Sequence, residues 1–382
     1  MTTTKVLKKQ KLRNNEYYDF QQTFDKLYQM SKDNHVFKKL IPLILQEENI
    51  LLAYRNLKKN LGSKTKGSDG RNIYYLANLS TDELIAKVRN KFNWYKPKAV
   101  RRVEIPKSNG KTRPLGIPAI TDRLIQQCIL QILEPICEAK FYERSNGFRP
   151  NRSCEHAIAQ IERYMQIAKL SYVVDIDIKG FFDNVDHGKL LKQLWTLGIR
   201  DKKLISILSA MLKGEIAGIG FPERGTPQGA ILSPLLSNVV LNELDWWIAS
   251  QWENIPTKKE YSKWKQSNSN KYTSLRNYTK LKECYIVRYA DDFKILCRNH
   301  TSAEKIYHAT KNWLKDRLGL EISPEKSKIV NLKKNYSEFL GIKIKLHEKG
   351  KYKNGTKKYV VKSHMTEKAK RQVFETGKQY LK

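Results

Sequence analysis

Three carboxylates stand in settings that ordinary surface acids do not share. Asp177 lies near the end of an alternating run rich in β-branched residues, SYVVDIDI (171–178), which reads as a strand. Asp291 and Asp292 sit between two short apolar runs in YIVRYADDFKILCR (285–298), which reads as a hairpin. Side chains alternate along a strand, so Asp175 and Asp177 share one face while Val174, Ile176 and Ile178 point into a core. Adjacent acids at a hairpin tip cannot both point the same way, so one of Asp291 and Asp292 faces the neighbouring strand. Carboxylates within a few ångström of one another repel until one takes up a proton or binds a metal. Oxygen-only ligands suit Mg²⁺, which commonly uses one or two carboxylates together with substrate phosphates. Two such ions, about 3.5–4 Å apart, clamp the attacking and leaving oxygens of an in-line phosphoryl displacement. Asp-Asp alone is an ordinary turn dipeptide. Tyr-Ala-Asp-Asp between apolar half-strands, 114 residues after an Asp-bearing strand, is a far more specific pattern.

Phosphoryl chemistry also needs fixed cations. Arg101, Lys107 and Arg113 are spaced by six along RRVEIPKSNGKTRPLGIP (101–118), where Asn109-Gly110 predicts a two-residue hairpin turn. They form either a solvated hairpin face or a clamp for a triphosphate, which carries about four negative charges. Arg149 and Arg152, in GFRPNRS, face the same choice: template phosphates, or for Arg149 an acid beneath its own loop. His187 stands alone and reads as a capping or packing residue. No Ser/His/Asp, HExxH or GxxxxGK[ST] constellation is present, which leaves P-loop hydrolysis and metalloprotease chemistry without support.

Composition points to the partner. The chain has 382 residues, with 72 Lys+Arg against 38 Asp+Glu, a formal charge of +34. Such an excess makes a polyanion, nucleic acid above all, the default partner. Apolar residues make up 40% of the sequence, enough for a real core and against wholesale disorder. No run of eighteen apolar residues and no apolar leader segment is seen, so neither a membrane span nor secretion is expected. The five cysteines are odd in number and none is paired in C-x₂-C spacing, consistent with reduced thiols in a bacterial cytoplasm or organellar matrix. Residues 255–282 hold eight Lys/Arg against Glu260 alone, interleaved with Trp264 and three tyrosines, and read as an extended loop, either a solvated insertion or a nucleic-acid contact. The final 52 residues carry fifteen Lys/Arg against four Glu, suited to lie along a duplex backbone.

The elements that must position these groups follow from periodicity. FQQTFDKLYQM and LSTDELIAKVRNKF read as helices, with NLKKNLGSKTKGSDG between them as a linker or a phosphate-touching loop. Thr121 or Asp122 is expected to cap a helix through DRLIQQCILQILEPICEAKF, and CEHAIAQIERYMQIA reads as another. Residues 230–250 read as a long helix with Pro234 near its start, and ATKNWLKDRLGL as a helix ended by Gly319.

Taken together, these blocks resemble reverse transcriptases, and among them the proteins encoded by group II introns. YADD at 289–292 resembles the family's catalytic box, and DIDIKGFFDNVDH (175–187) its first palm motif. GTPQGAILSPLLSN (225–238) and NGFRPNRSCEHAI (146–158) resemble the blocks around it, and RRVEIPKSNGKTRPLGIPAITDRLIQQ (101–127) the fingertips. EKSKIV (325–330) and FLGI (339–342) resemble the last palm blocks.

The resemblance implies an α+β right-hand polymerase. Residues 1–100 would be an N-terminal extension and first part of the fingers, and 101–170 the remaining fingers. Residues 171–345 would be an antiparallel-sheet palm, and 346–382 a basic connection where a thumb is only begun. It implies Asp177 and Asp291 as main metal ligands with the Ile178 carbonyl beside them, Asp292 as the supporting acid, and two Mg²⁺ ions. Asp175 would be structural. Phe181 or Phe182 would exclude a 2′-hydroxyl, Gln228 would lie against the nascent base pair, and Arg101, Lys107 and Arg113 would hold the triphosphate. The implied partners are an RNA template, such as group II intron RNA, a DNA or RNA primer, and dNTPs, in intron mobility and splicing. Two alternatives stay open: a stand-alone defence or retron-type reverse transcriptase, and a non-catalytic splicing cofactor that binds intron RNA.

Overall fold

A computed structural model describes residues 13–106, 110, 112–257 and 269–380. The chain folds into two compact units, each made of two stretches of sequence. The first comprises residues 1–140 and 182–236, the second 141–181 and 237–382.

The first unit is helical, with one hairpin. Its axis is the helix Ile120–Glu138, which is buried along most of its length because apolar residues occupy nearly every face. Helices Gln21–Lys32 and Glu47–Lys59 pack on it, tied by Ser31 Oγ donating to the Ile136 carbonyl (2.7 Å) and Asn49 Nδ2 to the Cys128 carbonyl (3.1 Å). Such buried polar groups are tolerated because each has a partner. The expected cap at Thr121 or Asp122 is replaced: the N-cap is Ala119, with no side-chain cap. Asp122 lies inside the first turn, where its carboxylate accepts from Tyr95 Oη and from the Lys98 amide, both at 3.0 Å. Strands β1 (Arg101–Pro106) and β2 (Thr112–Ile117) form the predicted hairpin, with Pro106 opposite Thr112. The turn expected at Asn109-Gly110, and Lys107, lie outside the described residues, Gly110 excepted.

The second unit is built on an antiparallel sheet of order β4-β5-β3-β6: β3 Tyr172–Ile176, β4 Cys284–Tyr289, β5 Asp292–Cys297 and β6 Lys328–Asn331. β3, β4 and β5 are buried on both faces, Asp292 excepted, which is why their sequences are almost continuously apolar. Helices Cys154–Gln166 and His300–Trp313 cover the sheet, and the latter passes into a wider turn that Gly319 ends at φ 70°. A second sheet joins β7 (Ser337–Phe339), β8 (Ile342–Lys351) and β9 (Lys357–Met365). The stretch read as a loop at 255–282 contains a helix, Ser269–Tyr278, of which only Leu275 is buried; residues 258–268 lie outside the described ones. Among the described residues no helix is long and apolar enough to cross a membrane.

Candidate active site

The pairing register of the second unit decides where the acids meet. β3 and β5 run antiparallel with Asp175 opposite Lys294 and Ile176 opposite Phe293. β3 ends at Ile176, so Asp177 follows directly at the sheet end where Asp292 opens β5. The β4–β5 hairpin closes with Tyr289 opposite Asp292, so Ala290-Asp291 is a two-residue turn, and Ala290 takes the left-handed backbone (φ 58°) that tight hairpins demand of their first residue. Asp177, Asp291 and Asp292 thus lie at one end of the sheet, close enough for the fields of Asp291 and Asp177 to reach Asp292.

Behind them lies an ion pair of a different kind. Asp175 is buried, 3.0 Å from Lys294 Nζ, and accepts from Ser337 Oγ of β7 (3.2 Å). It is spent on holding the two sheets together, in keeping with the structural role its sequence context implied.

The turn itself is held by residues that sequence reasoning did not single out. Arg288, fully buried in β4, donates through Nε and Nη2 to Asp245 in the helix Ser233–Gln251, with the shortest contact at 2.6 Å. Its Nη1 donates to the Ala290 carbonyl (2.7 Å) and to Asn238 Oδ1 (2.8 Å). Asn238 Nδ2 in turn donates to the Gly147 carbonyl (2.8 Å). Gly147 lies so close to the turn that a Cβ there would meet the Ala290 nitrogen at 2.1 Å, so only glycine fits. A lone arginine inside an otherwise apolar run was the signal available in the sequence, since such a charge must find a buried partner.

The charge state of the site fits a divalent cation. Asp292 is solvent-accessible, yet its carboxyl is pushed up to about 6. Desolvation at the sheet end is the largest cause, Lys294 opposes it, and the fields of Asp175, Asp291 and Asp177 add to the rise. Asp177, half-exposed, has drawn the Lys326 ammonium to 3.2 Å, a cation standing beside a carboxylate that needs one. The donors are all oxygen, as Mg²⁺ prefers. Among the described residues no three His, Cys, Asp or Glu side chains are gathered closely enough to hold a metal as they stand, so the carboxylates must turn toward one another to share one. Ile178, the other implied ligand, forms a bridge with Ile322, through Ser323 N to Asp177 O (2.8 Å) and Lys179 N to Glu321 O (2.8 Å).

The remaining expected contacts divide between the units. In the first, Arg113 Nε donates to Gln228 Oε1 (2.7 Å), joining two of the residues assigned to nucleotide binding. The TPQG loop lies directly on β2: Gly116 N donates to the Gln228 carbonyl (2.6 Å), and at Gly229 (φ 101°) a Cβ would strike Leu115 at 2.7 Å. Arg101 Nε donates to the Lys66 carbonyl (3.1 Å), so the basic loop after Lys59 serves as a bracket for the hairpin. His187 is buried and donates from Nε2 to the Gly225 carbonyl (2.7 Å), a packing role as expected. Phe182, and Phe181, which ends the first stretch of the second unit, are both buried, and nothing in their exposure distinguishes them. In the second unit, Arg152 is half-buried beside His156 and Arg163. Arg149 is turned inward instead of toward a template: it is buried, and its Nη1 donates to the carbonyls of Tyr142 (2.6 Å) and Ser145 (2.7 Å).

Acids at adjoining strand ends of an antiparallel sheet, in an α+β chain with a helical unit bearing a basic hairpin, mark a right-hand nucleic-acid polymerase. Residues 105–344 match the family model described as reverse transcriptase (RNA-dependent DNA polymerase). The chain belongs to that family. It is 33% identical over 319 residues to Protein YkfC of Escherichia coli (strain K12), covering 80% of this chain and 83% of that protein. To the group II intron-encoded protein LtrA of Lactococcus lactis subsp. cremoris it is 33% identical over 374 residues, 87% of this chain and 61% of the relative. To the putative COX1/OXI3 intron 2 protein of Saccharomyces cerevisiae it is 31% identical over 373 residues, 85% of this chain and 41% of the relative. The chain thus spans less than two thirds of the length of these two intron-encoded relatives. A solved telomerase from Candida albicans superposes with a TM-score of 0.41 at 13% identity, covering 71% of this chain and 48% of that one, too loose a likeness to carry any argument. By family the chain is a reverse transcriptase, an RNA-directed DNA polymerase.

Proposed function

We propose that this chain extends a primer 3′-hydroxyl with dNTPs on an RNA template at Asp177, Asp291 and Asp292, in the service of group II intron mobility and of intron RNA binding and splicing. The observation that supports the reading is the β3–β5 register, which brings the end of β3, one residue before Asp177, opposite Phe293 beside the Asp291-Asp292 turn. Two Mg²⁺ ions bound there would lower the pKa of the primer hydroxyl and offset the charge of the triphosphate. The three carboxylates and the Ile178 carbonyl hold the ions. Arg101, Lys107 and Arg113 grip the triphosphate, so that the α-phosphate faces the hydroxyl in line and the departing pyrophosphate is neutralised. Gln228 lies against the nascent base pair, Phe181 or Phe182 against the sugar, and Arg152 against template phosphate. In this reading residues 1–100 are an N-terminal extension and the first part of the fingers, 101–170 the rest of the fingers, 171–345 the palm and 346–382 the start of a thumb. The place of work is a bacterial cytoplasm or an organellar matrix, where intron RNA is made.

The test is Mg²⁺-dependent dNTP incorporation on an RNA template, comparing wild type with Asp291→Ala and Asp177→Asn. Loss of extension by a factor of a thousand or more in the variants supports the reading, and equal extension removes it. A clear preference for ribonucleotides overturns the sugar assignment. Intron RNA that binds no better than an unrelated RNA of the same length removes the splicing role while leaving the copying role intact.

A further inference from the structure

The opposite end of the catalytic sheet carries a second charged feature. There Cys297 pairs with both Cys284 and Tyr172, five residues from the acids along β5, or roughly 16 Å at the strand rise. Beside that end lies a groove of about 650 Å³, walled by the helices Cys154–Gln166 and Ser269–Tyr278, and all of its lining belongs to the second unit. Arg144, Arg163, Lys169, Arg276 and Arg298 line it, with Glu253 as the only acid.

Three carboxylates answer these five cations, one of them Glu143, 3.4 Å from Arg144 Nη2. Glu253 pairs with Arg144. Glu283, beneath the groove, is shared by Arg276 (2.6 Å) and Arg298 (2.6 Å). Arg163 and Lys169 are exposed, and neither side chain makes a hydrogen bond or ion pair among the described residues. Lys169 has left-handed backbone (φ 59°) where the helix Cys154–Gln166 is closed off by Leu170 N donating to the Tyr164 carbonyl (3.2 Å). Glycine or asparagine is favoured at such a helix end, so a lysine there is held against its backbone preference. The Tyr164 hydroxyl, on the groove wall, is buried without a partner among the described residues. Half-exposed Tyr272 adds an aromatic face beside the cations.

We propose that this groove binds the phosphodiester backbone of a nucleic-acid strand other than the template–primer duplex, held by Arg163 and Lys169. Cations interleaved with an aromatic suit such a strand. The groove lies at the other end of β5 from the acids, and the short hybrid in the test below tells a separate strand from the one being copied; the proposal stands independently of the copying role.

The test uses the full chain with single-stranded RNA of about 30 nucleotides, a DNA strand of the same sequence, and a short template–primer hybrid. Arg163→Gln with Lys169→Gln is expected to weaken RNA binding about ten-fold and to flatten the log–log salt slope by about 1.4, two phosphates at about 0.7 each. Extension of the short hybrid and the thermal melt should stay at wild-type levels. A matching loss on DNA identifies the phosphate backbone alone as the ligand, and a loss confined to RNA identifies a strand read with its 2′-hydroxyls. Unchanged affinity and slope on both strands overturns the proposal, as does a parallel loss of extension on the short hybrid.

Discussion

Arg288 Nη2 lies 2.6 Å from Asp245 Oδ2, and the same guanidinium donates to the carbonyl of Ala290, the residue before Asp291. One buried side chain therefore both neutralises an interior acid and fixes the left-handed turn that presents Asp291 and Asp292. Breaking a buried pair by removing one partner costs about 3–5 kcal/mol, because the other charge is stranded. Arg288→Met should lower stability by that order, while Arg288→Met with Asp245→Leu should recover most of it. Primer extension should stay depressed at least ten-fold in the double variant, since nothing then donates to Ala290. Thermal melts and extension rates measured together decide the matter: full recovery of both would reduce Arg288 to a charge balancer.

Arg113 and Gln228 are expected to act as one unit. The charged guanidinium donating to the amide oxygen at 2.7 Å sets the orientation of both. Arg113→Ala should raise the KM for dNTP by about ten- to a hundred-fold. Adding Gln228→Ala should cost less than it does in wild type, with a coupling of about 1 kcal/mol across the cycle. Strict additivity in steady-state kinetics would mean that the contact has no bearing on nucleotide binding.

Lys326 competes for Asp177. Both groups are partly exposed, so their pairing is worth at most about 1 kcal/mol. Lys326→Met should leave the melting temperature unchanged and lower the half-saturating Mg²⁺ concentration about two- to five-fold, read by titration of extension and by direct metal binding. A rise in the Mg²⁺ requirement would show that the lysine assists the site rather than blocking it.

Glu134 supplies a pH-dependent contribution to stability. Burial in the helix Ile120–Glu138, with Glu138 adding repulsion, pushes its carboxyl from the ordinary 4.5 up to about 7. Between those values the folded chain binds a proton that the unfolded chain has released. Stability therefore falls as pH rises through this window and is flat above it. Glu134→Gln should match wild type near pH 4 and exceed it by about 1–2 kcal/mol at pH 8, a figure discounted for partial exposure. Melts at the two pH values give the comparison, and equal gains at both would remove the titration as the cause.

Much of this was legible in the sequence because burial on both faces writes itself into composition. The apolar residues of β3 pin its register, and with it Asp175 inside and Asp177 at the rim. The hairpin around Asp291 was readable for the same reason. Arg288 shows the limit: its charge was visible, but its partner stands 43 residues away on a helix whose apolar sequence gives no sign of the pairing. The helix Ser269–Tyr278 was illegible because a single buried residue leaves no periodicity to detect. The cap at Ala119 was missed because Asp122, the better capping residue by type, is engaged by Tyr95 and Lys98 from a distant segment. Arg149 was ambiguous because its partners are main-chain carbonyls, which any sequence supplies.

The two acids 175 and 177 lead opposite lives, Asp175 locked inside against Lys294 and Asp177 half-exposed just past the end of β3, and since they share one strand face only their distance from the strand end tells them apart. Shifting the frame of β3 by one residue would move Val174 and Ile176 into the acids' places and turn both carboxylates away at once, as a one-residue slip does along any strand. Insertions and deletions between positions 172 and 177 should therefore be tolerated in no intermediate degree: this stretch can drift by substitution, never by length.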